Sequence, residues 1–372
     1  MIPNPPPWFT VANVQEVPSP SLLVYPERVE ENVRRMIAIA GGVTQLRPHM
    51  KTHKMAEIIR LQLKLGITKF KCATIAEAEM TAANGAADVL LAYQPVGPNV
   101  VRMVQLVRQY PKTQFAALVD DEGAAMKLSK AFVANGAKLI VLLDIDCGQH
   151  RCGIEPGPAA IELYQRVAAL PGLNVGGLHA YDGHIHDQDL AVRRTNCEAA
   201  FAPVEKLRND LIAGGLAVPT IVAGGTPTFP VHAKRGDVEC SPGTCVFWDA
   251  GYGTKMPEMD FLVAAALLTR VVSKPGGNRL CLDLGHKAVA SEMPQPRVVF
   301  PQLPDAKAAT HSEEHLVVET SRAAEFAVGD CLHGIPWHIC PTVALHAAAV
   351  VVRGGQAVER WSVAARARKF TL

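Results

Sequence analysis

Apolar and polar positions follow two alternating rhythms along the first part of the chain. Short, mostly apolar runs recur at Leu22–Tyr25, Ile67–Ala73, Asp88–Tyr93, Phe115–Val119, Lys138–Asp144, Asn174–Tyr181 and Thr220–Ala223. Between them lie stretches of helical period: 26–36, from Ala56, 75–83, up to Val107, 122–135, 158–170 and 190–213. Gly41–Leu46 reads as a further short strand after a glycine break. Thr74 is placed to cap one helix and Gly85 to end it. Strands without internal alternation are expected where helices cover both faces. The pattern predicts a parallel (β/α)8 TIM-type barrel; a doubly wound open sheet is the alternative.

The rhythm changes near Gly253. A long extended run, Phe261–Ser273, is followed by short β-like segments at 279–283, 315–319 and 347–352, separated by Pro and Gly. This predicts a barrel over residues 18–253 and an antiparallel β domain over 254–372, with residues 1–17 joining the latter.

Composition narrows the class without naming a function. The chain has 372 residues, 49% hydrophobic and 19% charged, with a formal net charge of +2. That charge gives no reason to expect nucleic acid or an anionic membrane, and no apolar run reaches the ~20 residues of a membrane helix. Nine scattered cysteines, with no signal-like start, read as reduced thiols of a cytoplasmic protein.

Four stretches concentrate chemistry. Arg47-Pro48-His49-Met50-Lys51-Thr52-His53-Lys54 lies on a strand-to-helix loop, where α/β proteins keep their reactive groups. A lysine there can form a Schiff base if its neighbours lower its pKa; the plain alternative is a solvated basic turn. Gly224-Gly225-Thr226-Pro227-Thr228 follows a strand and can cradle a phosphate, or simply turn the chain. His179-Ala180-Tyr181-Asp182-Gly183-His184-Ile185-His186-Asp187 is dense in imidazole and carboxylate, suited to metal ligation or base chemistry. In Pro336-Trp337-His338-Ile339-Cys340-Pro341-Thr342, an extended backbone would put His338 and Cys340 on one face, able to grip one ion. The alternative is a buried histidine beside a core cysteine.

The Arg-Pro-His-x-Lys-Thr-His-Lys run resembles the lysine motif of the D-threonine aldolase and D-serine dehydratase family, fold-type III pyridoxal-phosphate enzymes related to alanine racemase. Asp146-Cys147-Gly148-Gln149-His150-Arg151-Cys152-Gly153 is similar to the family's Asp-x-Gly-x-x-Arg-x-Gly stretch. The resemblance implies that Lys51 carries pyridoxal 5'-phosphate, that Gly224, Gly225 and Thr226 hold its phosphate, that Arg151 lies near its phenolic oxygen and that Tyr181 stacks on its ring. His184 and His186 are then candidates for the base.

It further implies a divalent metal on His338 and Cys340. The best-known aldolases have aspartate at the second position, and cysteine shifts preference toward zinc over manganese or magnesium. The implied reaction is cleavage of a D-3-hydroxy amino acid to glycine and an aldehyde by a homodimer. Dehydration of D-serine or 3-hydroxyaspartate, racemisation, and a non-catalytic cofactor-carrying protein remain as alternatives.

Overall fold

The computed structural model describes residues 7–372. In chain order the strands are β1 (Ser21–Val24), β2 (Lys69–Cys72), β3 (Asp88–Leu91), β4 (Gln114–Val119), β5 (Leu139–Ile145), β6 (Leu173–Ala180), β7 (Thr220–Ala223), β8 (Glu239–Cys240), β9 (Ala265–Ser273), β10 (Arg279–Leu282), β11 (Val298–Val299), β12 (Lys307–His311), β13 (Leu316–Glu319), β14 (Cys331–Pro336), β15 (Ala348–Arg353) and β16 (Gln356–Ser362). The helices are α1 (Pro26–Ile39), α2 (Ala56–Lys64), α3 (Ile75–Ala83), α4 (Pro98–Gln109), α5 (Glu122–Ala134), α6 (Pro158–Ala168), α7 (Leu190–Ala213), α8 (Phe229–His232), α9 (Ala250–Lys255) and α10 (Ile339–Leu345).

Two compact units emerge. One comprises Arg34–Lys51, Ile58–Gly243 and Ala365–Leu372. In it β2 to β8 lie side by side in sequence order, all parallel. That order excludes a doubly wound sheet, whose strand order reverses at its middle. The ring closes through an irregular eighth stave, residues 45–49. Arg47 N donates to Cys240 O and His49 N to Pro242 O on the β8 side, and Lys71 N donates to Pro48 O on the β2 side. Leu90, Ala116, Leu118, Leu142 and Val222 fill the interior.

Local sequence explains the helix starts. The Thr74 hydroxyl accepts from Glu77 N, and the Glu77 carboxylate accepts in turn from Ala73 N, satisfying two donors at the start of α3. The Asp121 carboxylate caps α5 by accepting from Ala124 N, and that of Asp189 caps α7 by accepting from Ala191 N and Val192 N.

Arg47 staples the closure. Its guanidinium is buried and donates to Asp88 at 2.5 and 3.1 Å and to Glu239 at 2.6 Å. Asp88 and Glu239 begin β3 and β8, so this arginine of the basic motif serves the N-terminal end of the barrel, away from the strand ends that carry chemistry.

The other unit takes the described residues of Met1–Val33 with Thr52–Glu57 and Thr244–Ala364. Its sheet runs β12-β13-β10-β9-β1-β15-β16, with β14 paired to β9 and β11 to β14. All pairs are antiparallel except β1 with β15. Here the structure corrects the expected boundaries. Leu22–Val24 opens no barrel: β1 is a central strand of this second sheet, its three apolar side chains fully buried. A short apolar run looks the same in either sheet, so periodicity could not assign it. Trp8, Phe9, Val11, Val14 and Val17 pack on Leu23, Tyr25, Ala266, Leu268 and Val352. The remainder of the expected 1–17 segment, residues 1–6, lies outside the described residues. Among the described residues no helix is long and apolar enough to cross a membrane, and all nine cysteines are free thiols.

Candidate active site

The barrel unit gathers the motif residues at the C-terminal ends of its strands. Lys51 sits half-buried in a 3-10 turn, Met50–Thr52, just after the closing stave, and its amide donates to buried His49 Nδ1 at 3.2 Å. Tyr181 follows β6. Its ring has three cationic groups around it: Lys51 Nζ at 5.7 Å from the centroid, Lys71 Nζ at 5.3 Å and Arg151 Cζ at 5.0 Å. Two glycines make room for that ring. A Cβ on Gly183 would stand 2.4 Å from a ring carbon and one on Gly225 2.9 Å.

Gly224, at φ +72°, turns the chain away from β7. Thr226 is buried and its hydroxyl accepts from Gly243 N at 3.1 Å. Beside it, the buried Ser241 Oγ has no hydrogen-bond partner. The loops after β7 and β8 thus bring backbone amides and hydroxyls together where barrel enzymes bind phosphate.

The loop after β6 is tied to the loop after β7 through Asp182. Thr228 donates to Asp182 Oδ1 at 2.8 Å, His232 Nε2 lies 2.8 Å from Asp182 Oδ2, and Gly225 N donates to Thr228 Oγ1. Cys197 Sγ stands 3.4 Å from the same His232 nitrogen. Asp182, Cys197 and His232 are, among the described residues, the one group of three such side chains close enough to hold an ion. Burial and the Asp182 charge push the Cys197 thiol well up. The hydrogen bonds among these side chains tie the two loops together, and His232 Nδ1 is buried without a hydrogen-bond partner.

The Asp-x-Gly-x-x-Arg-x-Gly stretch builds the loop that carries Arg151. Asp146 Oδ1 accepts from Gly148 N and His150 N, and a Cβ on Gly153, at φ +96°, would press to 2.6 Å from Asp146 N. Just before it, Asp144 holds His179 Nδ1 at 2.6 Å. Burial would raise the Asp144 carboxyl, but the charge and hydrogen bond of His179 hold it low. Burial, followed by the Lys71 charge, lowers His179.

His184 and His186 are both exposed. A Cβ on Gly148 would come within 3.2 Å of His184 Nε2, and His186 Nδ1 donates to the His184 carbonyl at 2.7 Å. Among the described residues no hydrogen bond joins either to Lys51, Lys71 or Tyr181.

Sequence reasoning passed over Lys71. It is 2% exposed in β2, its Nζ has no hydrogen-bond partner, and burial, then the Lys51 charge, push it down to about 7. A lysine inside an apolar strand of a fully covered sheet was the available signal.

In the antiparallel unit, His338 is the extended N-cap of α10 and Cys340 lies in its first turn. The expected extended segment is therefore a helix start. The two side chains still meet. Burial lowers His338, but the hydrogen bond and charge of Cys340, then Glu292 and Asp249, outweigh it and raise the imidazole to about 9. His338 Nδ1 donates to Glu292 Oε1 at 2.5 Å, a partner that no motif announced. Cys340 Sγ lies 3.2 Å from Thr52 Oγ1 and 3.4 Å from Thr244 Oγ1. Thr342 fixes the turn by donating to the His338 carbonyl.

Comparison with known proteins decides the lineage. Residues 24–250 match the alanine racemase N-terminal domain, and residues 264–352 match a putative serine dehydratase domain. D-threonine aldolase of an Arthrobacter species is 32% identical over 368 residues, spanning 97% of this chain and 96% of the relative. The chain belongs to the fold-type III pyridoxal-phosphate family.

Within that family, the crystal structure of D-threonine aldolase from Filomicrobium marinum superposes with a TM-score of 0.88 at 30% identity, covering 94% of this chain and 96% of that one. D-threo-3-hydroxyaspartate dehydratase of Delftia sp. is 29% identical over 62% of this chain and 61% of the relative. Aldolases and dehydratases are both lyases, and the chain is a lyase of this fold-type III family.

Proposed function

We propose that this lyase is a pyridoxal-phosphate- and divalent-metal-dependent aldolase that cleaves D-3-hydroxy amino acids to glycine and an aldehyde. The observation that carries the reading is the Tyr181 ring with Lys51 and Arg151 beside it at the strand ends of the barrel. The residues gathered there suit a phosphorylated pyridine. Buried Lys71 Nζ, His179 Nε2 and Ser241 Oγ lack partners, and glycines 183 and 225 leave room for the Tyr181 ring. Polar atoms of that kind call for a polar ligand.

Lys51 would hold the cofactor through its amine, Arg151 would balance the phenolic oxygen, and Gly224, Gly225 and Thr226 would hold the phosphate. Tyr181 would support the ring. The bound cofactor would supply an electron sink for bond cleavage at Cα, and an ion would lower the pKa of the substrate hydroxyl. His338 and Cys340 offer an imidazole and a thiol, a donor set suited to zinc, with manganese or magnesium as the harder alternatives. Ligation would displace the imidazole proton. His184 and His186 remain the candidates from the polar loop for taking the hydroxyl proton. The working unit we propose is a homodimer acting on a small molecule.

The dehydratase of Delftia gives the second reading, loss of ammonia from D-serine or 3-hydroxyaspartate. The aldolase is favoured because the aldolase relative spans nearly the whole chain at higher identity. Visible absorbance and elemental analysis of the purified protein test the cofactor and the metal together. Chelation is expected to abolish turnover of D-threonine while the chromophore persists, and a divalent ion to restore it. Full activity of metal-free protein would remove the metal from the reaction.

A further inference from the structure

One polar group in the proposed cofactor pocket is unexplained by any motif. Lys71 Nζ is buried and has no hydrogen-bond partner. An amine in that state calls for an acceptor. The charged groups around it are Lys51, Arg151, Asp144 and Asp182. Both carboxylates are engaged, Asp144 by His179 at 2.6 Å and Asp182 by Thr228 and His232 at 2.8 Å each. Lys51, Lys71 and Arg151 meanwhile converge on the single Tyr181 ring. The Lys51 and Arg151 charges beside the unpartnered Lys71 amine, with no uncommitted carboxylate among the charged groups named, favour an anion there.

We infer that Lys71 is a cofactor-binding residue, whose Nζ takes its missing partner from an anionic oxygen of bound pyridoxal phosphate. The inference rests on reading this pocket as the cofactor site. Above about pH 7 the amine is neutral in the free protein. An anion placed beside it favours the ammonium, so binding draws a proton from the buffer.

Pyridoxine 5'-phosphate isolates this contact, because it keeps the ring, phenolic oxygen and phosphate but has no aldehyde to react with Lys51. It is titrated calorimetrically into cofactor-free protein at about pH 8, in two buffers of different ionisation enthalpy, so that the proton count is read directly. The wild type is expected to take up more protons than Lys71→Met and to bind about tenfold more tightly, the scale of one charged hydrogen bond. Lys71→Arg, charged at every working pH, is expected to recover affinity without proton uptake, and it serves equally if the methionine variant does not fold. Binding with equal affinity and equal proton uptake in wild type and variants would overturn the role of Lys71 and leave the pocket standing. Failure of the wild type to bind either pyridoxine phosphate or pyridoxal phosphate would overturn the pocket itself.

Discussion

Thr228 donates its hydroxyl proton to Asp182 across 2.8 Å, joining the loop that carries Tyr181 to the loop proposed to hold the phosphate. Both residues are buried, Thr228 fully and Asp182 4% exposed. Removing the carboxylate strands Thr228 and His232 together. Asp182→Ala is therefore expected to lower stability by about 2–3 kcal/mol in urea titration, whereas Thr228→Val is expected to cost about 1 kcal/mol. Equal, negligible losses would mean that the tie holds nothing.

The lysine that bonds the cofactor is predicted to be Lys51. Borohydride reduction followed by peptide mapping should find the pyridoxyl label there. Lys51→Ala should fold and show no reducible chromophore. Label on Lys54, or on the buried Lys71, would overturn the assignment.

Lys71 also fixes a sign for the pH dependence of the cofactor-free protein. Its folded value, about 7, lies below the ordinary lysine value of 10.5. Between the two, the unfolded chain binds more protons, so this group makes stability rise with pH, by at most ~1.4 kcal/mol per unit. Below pH 7 the penalty of the buried charge is present in full. Lys71→Met should therefore stabilise the cofactor-free protein, and its gain in melting temperature should shrink from pH 6 to pH 9. A gain that is constant with pH would show that Lys71 stays charged throughout.

The barrel was legible because its strands are mostly apolar runs separated by amphipathic helices. The assignment of β1 was not, since four buried residues carry no record of which sheet they enter. β12 and β16 escaped notice because most of their side chains are exposed. The metal motif was expected on an extended backbone, yet Pro341 lies in the first turn of α10, where a missing N–H costs little. Arg47 belongs to the same basic run as Lys51, and only the three-dimensional contacts with Asp88 and Glu239 separate a structural staple from a candidate catalyst. Lys71 and Glu292 stand in no motif, and pattern reading had no reason to stop at them.

The central claim, cleavage of the Cα–Cβ bond, is tested most directly by the products formed from D-threonine. A dehydratase would release ammonia and leave 2-oxobutanoate. The account predicts equimolar glycine and acetaldehyde from the protein loaded with pyridoxal phosphate and a divalent ion; ammonia and 2-oxobutanoate as the main products would contradict it.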